Sequence, residues 1–193
     1  MKTSLLVCTL LALLVTGGAS AQEPEKTINT VEEAKEAMCK DDLCQRDLRI
    51  LLKLKDGKSY DKTFDVFPPV VQDIGLMVAA GQKLNIEAEV SGDTLINFKV
   101  VKEVVDPKKT IVVSFTQEDD GGMMLSVSNP FERTLKFNMA IMPIDKEALY
   151  KTSSCPILAG GRVFEMWPEP IFQILLTNPK LLDDKDQTMV CIY

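Results

Sequence analysis

From Leu48 onward, apolar residues recur at every second position or in short runs cut by turn residues, the pattern of strands with one dry and one wet face. Leu84, Ile86, Ala88 and Val90 alternate with Asn85, Glu87 and Glu89, and Leu135, Phe137, Met139 and Ile141 alternate through residues 134–142. The same reading predicts strands at 48–55, 58–64, 94–105 (with Ile96, Phe98 and Val100 on one side), 110–117, 123–128, 162–167, 171–177 and 188–193. Turn chemistry separates them: Asp56-Gly57 as a two-residue hairpin, Ser91-Gly92-Asp93, Asp106-Pro107, Asp119-Asp120-Gly121-Gly122, Asn129-Pro130, and a rigid corner at Trp167-Pro168-Glu169-Pro170. Segment 70–80 stays open between an edge strand and a loop with a helical turn.

Helical periodicity is confined to the start. Thr30-Val31-Glu32-Glu33 has the residues of a capping box, and Val31, Ala34, Ala37 and Met38 share a face, which predicts a helix over 30–38. A single helical excursion capped by Asp145 is expected over 145–151. The class is therefore mainly β: an antiparallel β-sandwich with Greek-key connections and a short N-terminal helix. An antiparallel β-barrel is the alternative, which strand spacing alone does not separate.

Residues 1–21 combine Lys2, an apolar run from Leu5 to Val15 and the small-residue tail Gly17-Gly18-Ala19-Ser20-Ala21, the layout of a secretory signal peptide cleaved after Ala21. The run is too short for a span, which takes roughly 20 apolar residues. Cys8 lies inside it, followed by Thr9, and reads as filler. The expected organisation is a signal peptide at 1–21, a flexible lead-in at 22–29 and a single β-sandwich domain at 30–193. Localisation is expected to be periplasmic or extracellular, with no membrane insertion after cleavage.

The stretch Met124-Leu125-Ser126-Val127-Ser128-Asn129-Pro130-Phe131, followed by Leu135-Lys136-Phe137, resembles the strand, Asn-Pro turn and strand of immunoglobulin-like domains in exported bacterial proteins. Gly81-Gln82-Lys83-Leu84-Asn85-Ile86-Glu87-Ala88 is similar to another strand opening of those domains. The resemblance implies a fold and an exported context, with no enzymatic activity attached. Trp167 follows Cys155 and precedes Cys191, but neither thiol sits in a strand position typical of the antibody-domain bridge.

Chemistry narrows the functions further. The chain holds no histidine, which removes Ser-His-Asp and Cys-His nucleophile systems and imidazole metal sites. Its net charge is −6, one unit more negative once Lys2 leaves, so binding to nucleic acid or anionic lipid is not expected. Four cysteines follow the leader, and the expected disulfides are Cys39 with Cys44 and Cys155 with Cys191. A redox-active Cys39/Cys44 dithiol is disfavoured, because Asp41 and Asp42 oppose a thiolate.

Met123-Met124 and Met139 with Met142 raise a cuprous thioether site, but alternation sends each pair to opposite faces, and core filling accounts for them. The acidic clusters Glu118-Asp119-Asp120 and Asp183-Asp184-Lys185-Asp186 lack a full calcium-loop ligand set and read as solvated turns. Thr152-Ser153-Ser154-Cys155 could hold a nucleophile, but without histidine it would need a lysine base, and the adjacency of Lys151 in sequence does not place it in space; a structural disulfide flanked by loop hydroxyls is the better account. Phosphate-binding glycine motifs are absent. The most distinctive local composition is Phe164, Trp167, Pro168, Pro170 and Phe172, in which Phe164, Trp167 and Phe172 are candidate binding-surface residues and a packed strand corner is the plainer account.

The resulting expectation is an exported, non-enzymatic binding or interaction module that uses an exposed strand edge, without catalytic residues, metal or cofactor. Its partner would be an envelope protein or ligand of unknown identity, its oligomeric state unassigned. A carboxylate-dependent envelope hydrolase and a Met/Cys copper-binding protein are the competing readings.

Overall fold

In the computed structural model, residues 30–39, 44–183 and 190–191 are described; the expected signal peptide, the expected lead-in and most of the strand expected at 188–193 lie outside the described residues. Val190 and Cys191, within that last segment, are not in a strand. The helix is α1 (Val31–Met38), closed by the expected capping box: the Glu33 amide donates to Thr30 Oγ1 and the Thr30 amide to Glu33 Oε2, both at 3.1 Å. Its expected apolar seam is not buried, since Val31 and Ala37 are exposed. A two-turn helix has little surface with which to pack, and the Cys39–Cys44 disulfide ties its end to the first strand.

Everything else is antiparallel β. Strands β1 (Gln45–Lys53) and β2 (Ser59–Phe67) form a hairpin of their own around Asp56-Gly57. The larger sheet contains β3 (Val71–Gln72), β4 (Gly75–Ala79), β5 (Gln82–Ser91), β6 (Thr94–Val101), β7 (Thr110–Gln117), β8 (Met123–Ser128), β9 (Thr134–Pro143), β10 (Tyr150–Thr152), β11 (Arg162–Trp167) and β12 (Ile171–Leu182). The undecided segment 70–80 is thus a tight β3–β4 hairpin, with β4 buried along its whole length.

The sheet branches at β12. One side of β12 pairs with β9 from Ile171 to Leu182; its other side pairs with β4 over Gln173–Thr177 and then reaches β6 at Lys180↔Thr94. One arm runs β10-β9-β12 and on through β4 to β3, the other β6-β5-β7-β8-β11. No closed barrel forms among the described residues. Such branching requires β12 to be longer than the sequence pattern suggested. It continues through Asn178, whose φ is +50°, and Pro179 by means of a register shift, the place where a strand tolerates proline.

Alternation settles the core. Leu135, Phe137, Met139 and Ile141 of β9 are buried as their spacing required, opposite Ile111, Val113 and Phe115 of β7 and Leu125 and Val127 of β8 in one continuous apolar cluster. On β6 the phase is corrected: Leu95 is buried while Ile96 and Val100 are exposed. Asn97 takes φ +54° at a bulge, its side chain donating to Glu89 at 2.8 Å, and this flips the face that a regular strand would bury. Val90, expected on the dry face, is exposed at the end of the β5–β6 hairpin. The helix expected at 145–151 does not form. A turn from Pro143 to Lys146 gives way to β10, because Tyr150, Lys151 and Thr152 find ladder partners on β9, where a one-turn helix would have to nucleate alone.

The β1–β2 hairpin packs on this body through Ile50, Leu52 and an aromatic cluster of Tyr60, Phe64, Phe67 and Phe172, whose ring centroids lie 5.3–6.1 Å apart. The Gln117 side chain completes the join. Its amide oxygen accepts from Lys53 N at 2.7 Å and its amide nitrogen donates to Lys53 O at 2.9 Å, so a side chain stands in for a ladder step.

Two residues fix the loops. Gly75 has φ +149°, and a Cβ there would stand 2.0 Å from the Leu176 carbonyl oxygen, so only glycine lets β4 approach β12. Asn129, 1% exposed, donates through Nδ2 to the carbonyls of Arg133, Ile157 and Leu158 at 2.8, 2.9 and 3.1 Å and accepts from Phe131 N at 3.0 Å. It joins the β8–β9 connection to the segment that precedes β11.

Candidate functional site

The three aromatic candidates are not brought together. Trp167 is buried, edge-on to Phe115 at 6.2 Å, with Nε1 donating to Thr152 Oγ1 at 2.9 Å. Phe172 belongs to the aromatic cluster beneath the β1–β2 hairpin. Only Phe164 is open, 59% exposed. Period two explains the division: along β11, Val163, Glu165 and Trp167 turn inward, while Arg162, Phe164 and Met166 turn outward. The corner residues Pro168 and Pro170 carry β11 round to β12, and Pro170 also accepts from Ile144 N through its carbonyl.

The candidate nucleophile run serves as a tie between the two arms. Ser153 Oγ donates to Glu165 Oε2 and Cys155 N to Glu165 Oε1, both at 3.3 Å, while the buried Ser154 hydroxyl donates to the Phe137 carbonyl. Cys155 is disulfide-bonded to Cys191. Met123 and Met139 are buried, whereas Met124 and Met142 are half-buried on the opposite faces of their strands. Among the described residues, no group of three or more Cys, Asp or Glu side chains converges as a metal site would require. Asp120 accepts from Gly122 N at 2.9 Å within its turn, and Asp183 pairs with Arg133 at 2.7 Å; Asp184, Lys185 and Asp186 lie outside the described residues.

Carboxylates do meet in one hollow of about 490 Å³, where Asp56, Asp145 and Glu169 stand with Lys55 and Lys146 around a floor of Leu54, Pro143, Ile144 and Pro170. A hydrolytic pair needs one carboxyl to hold a proton near neutrality. Asp56 is tuned the other way: hydrogen bonds from Lys58, whose ammonium is 2.9 Å away, hold it below the usual carboxylate range. A larger groove of about 650 Å³ lies between Val70, Val71 and Gln72 on one side and Leu84, Phe98 and Val100 on the other.

The feature that sequence reasoning placed only in part is the outer side of β11. The strand pairs with β8 in unbroken register, from Arg162↔Ser128 to Trp167↔Met123, and among the described residues no strand lies on its other side. Other margins of the sheet are blunted: β10 has three residues and β3 two, and β6 carries the Asn97 bulge. β11 has none of these devices, and Phe164 and Met166, 59% and 70% exposed, stand on it as neighbours. Behind Phe164 a row of small hydroxyls, Ser126 and Ser114, runs to Lys83 on β5. Arg162 Nη1 donates to Ser126 Oγ at 3.1 Å. The sequence signal for this surface was the alternation Arg-x-Phe-x-Met; its position at the margin depends on pairings that sequence does not encode locally.

Comparison with protein-family models, with curated proteins and with solved structures finds no match.

Proposed function

We propose that the chain is an exported, non-enzymatic binding module, an immunoglobulin-like β-sandwich whose contact surface is the open side of β11. The observation that carries this reading is a regular, bulge-free outer strand with an exposed aromatic and an exposed thioether, a form that natural sheets otherwise avoid. The two arms of the branched sheet, tied by Glu165 to Ser153 and by Trp167 to Thr152, support the sandwich. Two disulfides favour an oxidising compartment, and no described helix is long and apolar enough to cross a membrane.

An extended segment added to β11 would gain main-chain hydrogen bonds from the strand and side-chain contacts from Phe164 and Met166. The test is capture of partners from the envelope fraction of cells that make the protein, using the exported chain and a Phe164→Lys/Met166→Lys double variant. A partner held by the native chain and by a Leu51→Lys control, but lost by the double variant, is the expected result. Equal capture by all three would overturn the assignment.

A further inference from the structure

We infer that the strand received by β11 carries a single carboxylate, placed to meet Arg162, in the pattern apolar-x-apolar-x-acidic; this rests on the reading of β11 as the contact surface. On the outer face Arg162, Phe164 and Met166 follow one another at alternate positions. An antiparallel addition places side chains directly opposite them at alternate positions of the incoming strand. The residue opposite Met166 and the residue two places later, opposite Phe164, meet exposed apolar surface. Two places later again, the incoming side chain meets the guanidinium.

Arg162 is the charged member of that triplet. Among the described residues no carboxylate lies within ion-pair distance of it, a lack it shares with Arg46, whereas Arg49 and Arg133 have Asp61 and Asp183 at 2.7 Å. Among the described residues its side chain has one hydrogen bond, to the neutral Ser126 hydroxyl, which anchors the guanidinium beside Phe164 and leaves further donors available. A planar guanidinium held in place loses less freedom on pairing and suits a carboxylate. The net charge of −6 works against a generally acidic partner, so the complement is one carboxylate in an otherwise uncharged strand.

A second copy fits less well. Two-fold pairing of β11 with itself sets outer-face residues against outer-face residues, so Arg162 would meet Arg162, Phe164 or Met166 and never a carboxylate. Glu165, the acidic residue of β11, faces inward and is already engaged by Ser153 and Cys155.

The experiment is titration of the disulfide-intact protein with the blocked hexapeptide Val-Thr-Val-Thr-Glu-Thr, with the same peptide carrying Gln or Lys in place of Glu, and with versions N-methylated on one or the other alternate set of amides. The Glu peptide should bind about 1.5- to fivefold more tightly than the Gln peptide, the range of one exposed ion pair. That preference should vanish with Arg162→Gln and reverse toward the Lys peptide with Arg162→Glu. One of the two N-methylated sets should abolish binding and the other preserve it. Equal affinity of the Glu and Gln peptides, or a preference that survives Arg162→Gln, overturns the inference while leaving the strand-addition reading intact. No binding by any peptide overturns both. Self-association in sedimentation velocity that Phe164→Lys abolishes would assign the surface to a second copy and overturn it as well.

Discussion

Replacing Asn129 by alanine tests the best-defined polar element of the fold. The side chain is 1% exposed and makes four hydrogen bonds, all to backbone. Two of its partners keep a second bond after truncation: the Ile157 carbonyl also accepts from Leu135 N, and the Leu158 carbonyl from Gly161 N. The Phe131 N–H and the Arg133 carbonyl have no other partner among the described residues. Each group left unpaired costs about 1–3 kcal/mol, so Asn129→Ala should lose about 2–6 kcal/mol. The assay is urea unfolding of the disulfide-intact protein, where the midpoint should fall at unchanged slope.

Asn129→Asp sharpens the test, because it keeps the acceptor for Phe131 and replaces the donor with charge facing three carbonyl oxygens. Burial there raises the carboxyl's folded value above its unfolded one, so the folded state binds the proton more tightly. The variant should therefore lose stability as the pH rises above about 4. A cost below about 1 kcal/mol for the alanine variant, or an aspartate variant insensitive to pH, would refute the view that these bonds hold the loops together.

Four further outcomes can be measured. Gly75→Ala should cost about 1–3 kcal/mol from its φ alone, and more from the collision with Leu176, read as a large drop in thermal midpoint. Loss of the Cys155–Cys191 bond, which closes 36 residues, should lower stability by about 3.8 kcal/mol, against about 2 for Cys39–Cys44, which closes 5, when each pair is changed to serine and unfolded in urea. Asp56 and Asp61, held ionised by Lys58 and Arg49, should titrate by carbon NMR below the ordinary aspartate range; their contribution is complete above about pH 3.9 and lost as the pH falls through their folded values. Intact mass of the exported protein should begin at Gln22.

Elements whose signal is local were legible in the chain. The capping box at Thr30, the Asp56-Gly57 hairpin and the alternating faces of β7, β8 and β9 follow from spacing alone. What escaped depends on partners distant in sequence. The wet side of Ile96 comes from a bulge at Asn97, which a period-two count steps over. The strand at 150–152 exists because β9 offers a ladder, and β12 outruns its apolar segment because β6 and β9 reach its far end. For the candidate surface, composition grouped residues that have three destinations: Trp167 inside, Phe172 under a hairpin and Phe164 in the open. Arg162 carries no signal of its own in the sequence, because an arginine at a strand start is ordinary.

The branch at β12 also bears on the order in which the chain can fold. Residues 171–182 are made after β4, β6 and β9, yet β4 and β9 depend on them for most of their pairing and β6 meets them at Thr94. While synthesis proceeds from the N-terminus, hairpins such as β5–β6 can form, but β4 has only the two-residue β3 beside it and β9 lacks its longest partner. The core therefore stays open until β12 has been delivered. A polypeptide built this way locks only when that one strand arrives.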